Sequence, residues 1–251
     1  MVNVNELYAF LEGTIPSELS CDWDNDGRMC VPDGNKPVKK VLICLDITAS
    51  AVDYAVEKGF DCIISHHPLV FNPIKRLDCD SPVGKKLCRL VKNDIAAFSF
   101  HTRLDKVSGG VNDAIADVLE LKNVEDFSDV GRMGEIAPMS VCDFGKMLKD
   151  RIRADRVLCV DGGRTVKKIA IVGGSGKGYL EEAFACGCDT FVTGEMPYNC
   201  EQDARELGIN LICGGHYFTE DVICERIKKL LKNFDSDIVT EKYDSNVAFV
   251  I

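Results

Sequence analysis

Apolar residues in this chain fall into short unbroken runs that alternate with stretches of helical spacing. Val41, Leu42, Ile43, Cys44 and Leu45 form one such run, the mark of a strand buried on both faces. A helix is predicted over 48–58, with Thr48 or Ser50 as its cap, Ala51, Tyr54 and Ala55 on one side, and Gly59 as its stop. Residues 61–64 read as the next strand, completing a βαβ unit and implying a parallel sheet with a right-handed crossover. Leu7, Phe10 and Leu11 predict a helix over 5–12. A polar linker with Pro73 and Pro82 precedes a helix over 83–92, a strand over 95–100, and a helix carrying Val111, Ile115, Val118 and Leu119 on one face. The chain closes with a helix over about 221–234 and an apolar stretch at 247–251 that reads as a last strand able to join the first half's sheet.

The pattern repeats. Val166-Lys167-Lys168-Ile169-Ala170-Ile171-Val172 echoes Val38-Lys39-Lys40-Val41-Leu42-Ile43-Cys44 at an offset of 128, and the same frame places Gly187 on Gly59 and Asp189 on Asp61. A later match, His216 to Glu220 on His101 to Asp105, runs at an offset of 115. We therefore expect an α/β protein of two similar duplicated halves, residues 1–127 and 128–251, with mixed, largely parallel sheets and a metal site at their interface.

Composition narrows the function. A formal charge of -10 disfavours nucleic acid, which needs clustered Lys and Arg. No apolar run reaches the length of a membrane span, and the first residues lack the features of a signal peptide, so the expected location is cytoplasmic. The 13 cysteines are scattered without any Cys-x-x-Cys, and are expected to be reduced thiols rather than zinc ligands.

Histidine carries the chemical signal. The chain has only four. His66 and His67 lie side by side past a predicted strand, where ligands of parallel sheets gather, and Pro68 holds His67 out of helical conformation. His101 and His216 each open a His-x-x-x-acid pattern, ending at Asp105 and Glu220. Imidazole and carboxylate without thiolate suit zinc, iron, manganese or nickel. Five or six such ligands are too many for one zinc and point to two divalent metal ions, a pairing suited to in-line attack on a phosphoryl or similar centre. Two segments admit two readings each. Cys21 to Gly27, with Asp22, Asp24, Asp26 and the only tryptophan, is either a tight turn or a loop beside the metal or substrate. Gly173 to Gly178 is either a tight strand-to-helix turn or a cradle for an anion, with Lys177 as its charge.

At these residues the sequence resembles the NGG-one-interacting-factor-three-like dinuclear metal-centre proteins, several of which are called GTP cyclohydrolase type 2 homologues. Trp23-Asp24-Asn25, Ser65-His66-His67-Pro68, His101 to Asp105, Gly109 to Asp113, Gly173 to Gly176 and Gly215 to Glu220 carry the resemblance over essentially the whole chain. It implies two metals held by His66, His67, Asp105 and His216 with Glu220 bridging, His101 close by, and a homo-oligomer, often a hexamer. Two departures stand out: Arg103 where the family commonly has Asn, and Met196-Pro197-Tyr198-Asn199 where histidine often follows the Gly-Glu pair.

The expected activity is that of a metal-dependent hydrolase on a small anionic substrate, phosphorylated or nucleotide-like, with Glu195 or His101 as proton carriers. A non-catalytic metal-handling or regulatory protein-binding factor is the alternative.

Overall fold

The computed structural model describes residues 1–249 and 251. In chain order the first elements are α1 (Val4–Thr14), β1 (Gly27–Cys30), β2 (Lys40–Cys44), α2 (Ala49–Lys58), β3 (Cys62–Ser65), α3 (Pro82–Lys92), β4 (Ala96–Ser99) and α4 (Thr102–Lys106). Then come α5 (Val111–Val118), β5 (Lys122–Phe127), β6 (Gly131–Met139), α6 (Val141–Ile152), β7 (Leu158–Val160) and β8 (Val166–Ser175). The rest are α7 (Leu180–Ala185), β9 (Thr190–Glu195), α8 (Tyr198–Leu207), β10 (Asn210–Cys213), α9 (His216–Glu220), α10 (Ile223–Phe234) and β11 (Val239–Lys242).

Two compact units result, Met1–Val107 with Ile223–Asn246, and Ser108–Val222 with Val247–Ile251. This differs from a single cut between 127 and 128, for two reasons. Helix α5 belongs with the second sheet, where Asn112 donates to Val130 O at 3.0 Å and accepts from Gly173 N at 2.8 Å. Helix α10 returns to the first unit, where Phe234 stacks on Phe10 at 3.9 Å between ring centroids.

The first unit holds a sheet in the order β1-β4-β3-β2-β11. Its three central strands and β11 run parallel, while β1 is antiparallel to β4. Local chemistry sets the helix starts. Asn3 and Glu6 form a capping box on α1, Thr48 caps α2 and Ser81 caps α3, whose first residue is Pro82. Gly59 ends α2 with a left-handed φ of 67°, as its spacing predicts. Leu42, Cys44, Val52, Ala55, Phe60, Ile63 and Leu90 are buried together as its core.

The second unit holds a sheet in the order β5-β6-β8-β9-β10-β7, in which β8, β9 and β10 are parallel and the others antiparallel. Phe127, Ala170, Leu180, Ala183, Phe191, Ala204 and Leu211 are buried against one another.

The duplication is visible in the pairing. Val41 faces Cys62 in the first sheet and Ile169 faces Thr190 in the second, the same register at an offset of 128. The Asp61 carboxylate accepts from Lys39 N and Lys40 N at 2.8 and 3.0 Å, and that of Asp189 accepts from Lys167 N and Lys168 N at 2.9 and 2.7 Å. The later match is corrected by one residue. Cys62 pairs Ala96 and Thr190 pairs Asn210, an offset of 114, and the N-caps of α4 and α9 are His101 and Gly215. His216 therefore stands where Thr102 does, and Glu220 where Lys106 does.

Three further expectations change. Strand β8 runs through Gly173 and Gly174 to Ser175, with a register shift after Val172, so these two glycines belong to a bulged strand end, and the expected turn before α7 is confined to Lys177 and Gly178. The strand that joins the first sheet is β11, paired with β2; Val247 to Phe249 form no strand, and Val250 lies outside the described residues. Cys79 and Cys88 are joined in a disulfide with Cα atoms 6.0 Å apart, where reduced thiols were expected: helix α3 brings the two side chains within bonding range.

Candidate metal centre

In the first unit, parallel strands deliver their histidines at one end. His66 and His67 follow β3, and His101 follows β4. Ser65 Oγ donates to His67 O at 2.8 Å and His67 N donates to Leu45 O at 3.0 Å, which fixes the backbone just past the strand. The two side chains therefore leave the alternation of the strand and face one region. One donor nitrogen from each of His66, His67 and His101 lies within 4.8 Å of the others. Asp105, on α4, places Oδ1 3.6 Å from His66 Nε2.

In the second unit, α9 presents His216 and Glu220 one turn apart, with His216 Nε2 3.1 Å from Glu220 Oε2. Glu220 is buried, and Gly174 makes room for it: a Cβ there would lie 2.0 Å from Glu220 Oε1, at a left-handed φ of 61°. The glycines of the strand end thus serve the carboxylate.

Each histidine is anchored through Nδ1. His66 Nδ1 donates to Phe100 O at 2.9 Å, where the carbonyl can only accept. His67 Nδ1 lies 2.8 Å from Asp46 Oδ1, His101 Nδ1 2.9 Å from Asp24 Oδ1, and His216 Nδ1 3.1 Å from Glu195 Oε1. A proton held on Nδ1 leaves the Nε2 lone pair as the donor, the arrangement in which imidazoles bind metals. The residues therefore fit a metal centre.

Sequence reasoning missed two of these anchors. Asp46 ends the segment after β2, with no pattern to mark it. Asp24 lies in the loop read either as a turn or as part of the site, and it is both: its carboxylate accepts from Asn25 N at 2.9 Å and also from Thr102 N and Oγ1 at 3.0 and 2.7 Å. Burial alone would raise the Asp24 pKa, but hydrogen bonds from His101 and Thr102 outweigh it and hold the carboxyl well below the usual range. Glu195 lies against His216 Nδ1 at the exposed end of β9. Asn199 is exposed on α8.

Arg103 has a structural task. It is 1% exposed and donates through Nε to Asp26 at 3.0 Å, and through one terminal nitrogen to Glu12 at 2.8 Å and Ile15 O at 3.0 Å. The same Asp26 carboxylate accepts from His101 N at 3.1 Å. The residue that departs from the family pattern thus braces the loop that anchors His101.

Fold and donor set define a mixed α/β protein with His, Asp and Glu groups able to hold metal. Residues 2–247 match the family model described as Duf34/NIF3 (NGG1p interacting factor 3), and the chain belongs to that family. It is 31% identical to a Clostridium perfringens protein named GTP cyclohydrolase 1 type 2 homolog, covering 100% of this chain and 96% of that one. A Clostridium acetobutylicum protein of the same name is 32% identical over 87% of this chain and 85% of its own length. The solved structure of a Staphylococcus aureus hypothetical protein superposes with a TM-score of 0.92, 29% identity and 99% coverage of both chains. Among the described residues no helix is long and apolar enough to cross a membrane.

Proposed function

We propose that this protein is a metal-dependent hydrolase acting on a small phosphorylated or nucleotide-like substrate. As the family resemblance implies, His66, His67, Asp105, His216 and Glu220 would hold two divalent ions. The observation that carries the reading is the anchoring of all four imidazoles through Nδ1, which turns four Nε2 atoms into donors. Bound divalent ions would supply Lewis acidity toward a phosphoryl or carbonyl oxygen and lower the pKa of water.

The chain's own residues supply the rest. His101, held by Asp24, keeps its tautomer and presents Nε2 to take up or deliver a proton. Glu195, held against His216 Nδ1, would orient that imidazole and is the second candidate proton carrier. GTP is one substrate to test, because relatives carry the name GTP cyclohydrolase 1 type 2 homolog. The same reading takes the protein as a cytoplasmic homo-oligomer, a hexamer by family resemblance, which sedimentation would check.

The second reading, a metal-handling or regulatory factor, is favoured by one observation: Tyr198 and Asn199 follow Glu195 where a proton-transferring histidine would be expected. Turnover separates the two. Metal-loaded protein is assayed against phosphomonoesters, phosphodiesters and GTP beside Glu220→Ala. Hydrolysis that disappears in a folded variant supports the enzyme; no turnover at full occupancy with any of several metals supports the factor.

A further inference from the structure

The only tryptophan of the chain is left 63% exposed, and it stands beside the histidine cluster. Trp23 lies 6.1 Å between ring centroids from Phe71, itself 46% exposed. Both rings meet His101, at 6.0 and 6.3 Å, edge to face with interplanar angles of 76° and 78°. Three rings thus pack edge against face at one exposed place, and one of them belongs to the imidazole whose Nε2 faces the proposed chemistry.

The placement is built. Trp23 sits in a loop held by Asp24 to Thr102 and by Asp26 to Arg103. Asn25 Nδ2 donates to Val70 O, tying the tryptophan loop to the segment that carries Phe71. Exposure of two large rings costs a protein solvation free energy, yet here the neighbouring loops fix both rings in the open.

From this geometry we infer that Trp23 and Phe71 form a stacking platform for a planar heteroaromatic base, such as a purine, carried by the substrate. The inference rests on the hydrolase reading for the reacting group but not for binding of the base. Aromatic faces bind bases through stacking that tolerates the identity of the base. Two rings are also far smaller than the roughly 800 Å² per partner of a standard protein interface. Divalent ions held by the histidines beside them would attract an anionic group, so the ligand that fits pairs a flat ring with an anion.

Trp23 emission is a single-site reporter. Zinc-loaded and metal-free protein are titrated with GMP, guanosine, ribose 5-phosphate and inorganic phosphate. GMP and guanosine are expected to change the emission saturably, whereas ribose 5-phosphate and phosphate leave it unchanged. Phe71→Ala, at an exposed position, is expected to weaken GMP binding about 5- to 150-fold, the range for losing one stacking ring. Its binding of ribose 5-phosphate, followed by calorimetry, should not move. Trp23→Leu should show the same selective loss by calorimetry. Emission that ignores every base, that responds equally to ribose 5-phosphate, or that changes only with protein concentration would overturn the inference; the last would assign the rings to a second copy. Saturable base binding without turnover would support the platform while removing the hydrolase reading, so the two fail separately.

Discussion

Replacing Arg103 with methionine removes one cation and leaves two carboxylates facing its place. Asp26 is 5% exposed, so it would become a buried charge without its guanidinium; Glu12 is 30% exposed and would recover part of its hydration. Breaking a buried pair from one side costs about 3–5 kcal/mol. Loss of Arg103 from the Phe100 ring, 4.7 Å away, adds about 0.5–1 kcal/mol. Arg103→Met should therefore lose roughly 3.5–6 kcal/mol, a large share of the stability of an ordinary domain. Arg103→Lys, which keeps the charge without the fork, should lose about half as much. Urea unfolding followed by far-UV circular dichroism and by Trp23 emission measures both. The pH dependence is a second readout. Burial raises the Glu12 pKa, but hydrogen bonds from Ser17, Arg103 and Tyr8 and the Arg103 charge outweigh it, bringing it from 4.5 to about 2. A lowered folded pKa stabilises above the unfolded value and loses that contribution as pH falls through the folded one. Wild-type stability should thus decline between pH 4.5 and about 2 by about 1–2 kcal/mol from this group, after allowance for solvent screening. Arg103→Met should show a shallower slope there. A loss below about 1 kcal/mol, with the acid slope unchanged, would refute the bracing role assigned to Arg103.

Three other outcomes follow from the same geometry. Asp46→Asn, which weakens the acceptor for His67 Nδ1, should lower metal affinity about 10- to 100-fold in calorimetric titration while leaving the circular dichroism spectrum intact. Gly174→Ala should displace the Glu220 carboxylate and reduce metal content by elemental analysis, with the melting temperature falling as well because of the left-handed φ. Asp61→Ala and Asp189→Ala each remove a carboxylate that binds two backbone N–H groups. Each should cost about 1–3 kcal/mol in urea unfolding, and clearly unequal costs would weaken the equivalence drawn between the two sheets.

The sequence made parts of this legible because their physics is local. The run Val41 to Leu45, the stop at Gly59 and the 128-residue frame are written in apolar periodicity and turn chemistry, and they appear in the pairing register. The candidate donors were legible because histidine is rare here and sits at strand ends. What escaped depends on the packed chain. Nothing near Asp46 or Asp24 in sequence says that their carboxylates meet His67 and His101, since those partners lie 21 and 77 residues away. The one-residue shift between α4 and α9 was hidden because a His-x-x-x-acid pattern looks the same at either register. Strand β5 was missed because five of its six residues are exposed, leaving too few apolar positions to reveal a strand. The bulged strand end at Gly173 and Gly174 reads as a turn until the buried Glu220 carboxylate beside it is known.

The central proposal is that His66, His67 and His216, with Asp105 and Glu220, hold two divalent metal ions per chain, and that His101 is not one of the ligands. Native mass spectrometry of protein reconstituted with zinc, compared with Glu220→Ala and His66→Ala, tests it most directly. Two ions per chain in the wild type, fewer in both variants, and unchanged circular dichroism are the predicted result. Protein that retains no ion after reconstitution, or variants that retain the full wild-type content, would contradict it.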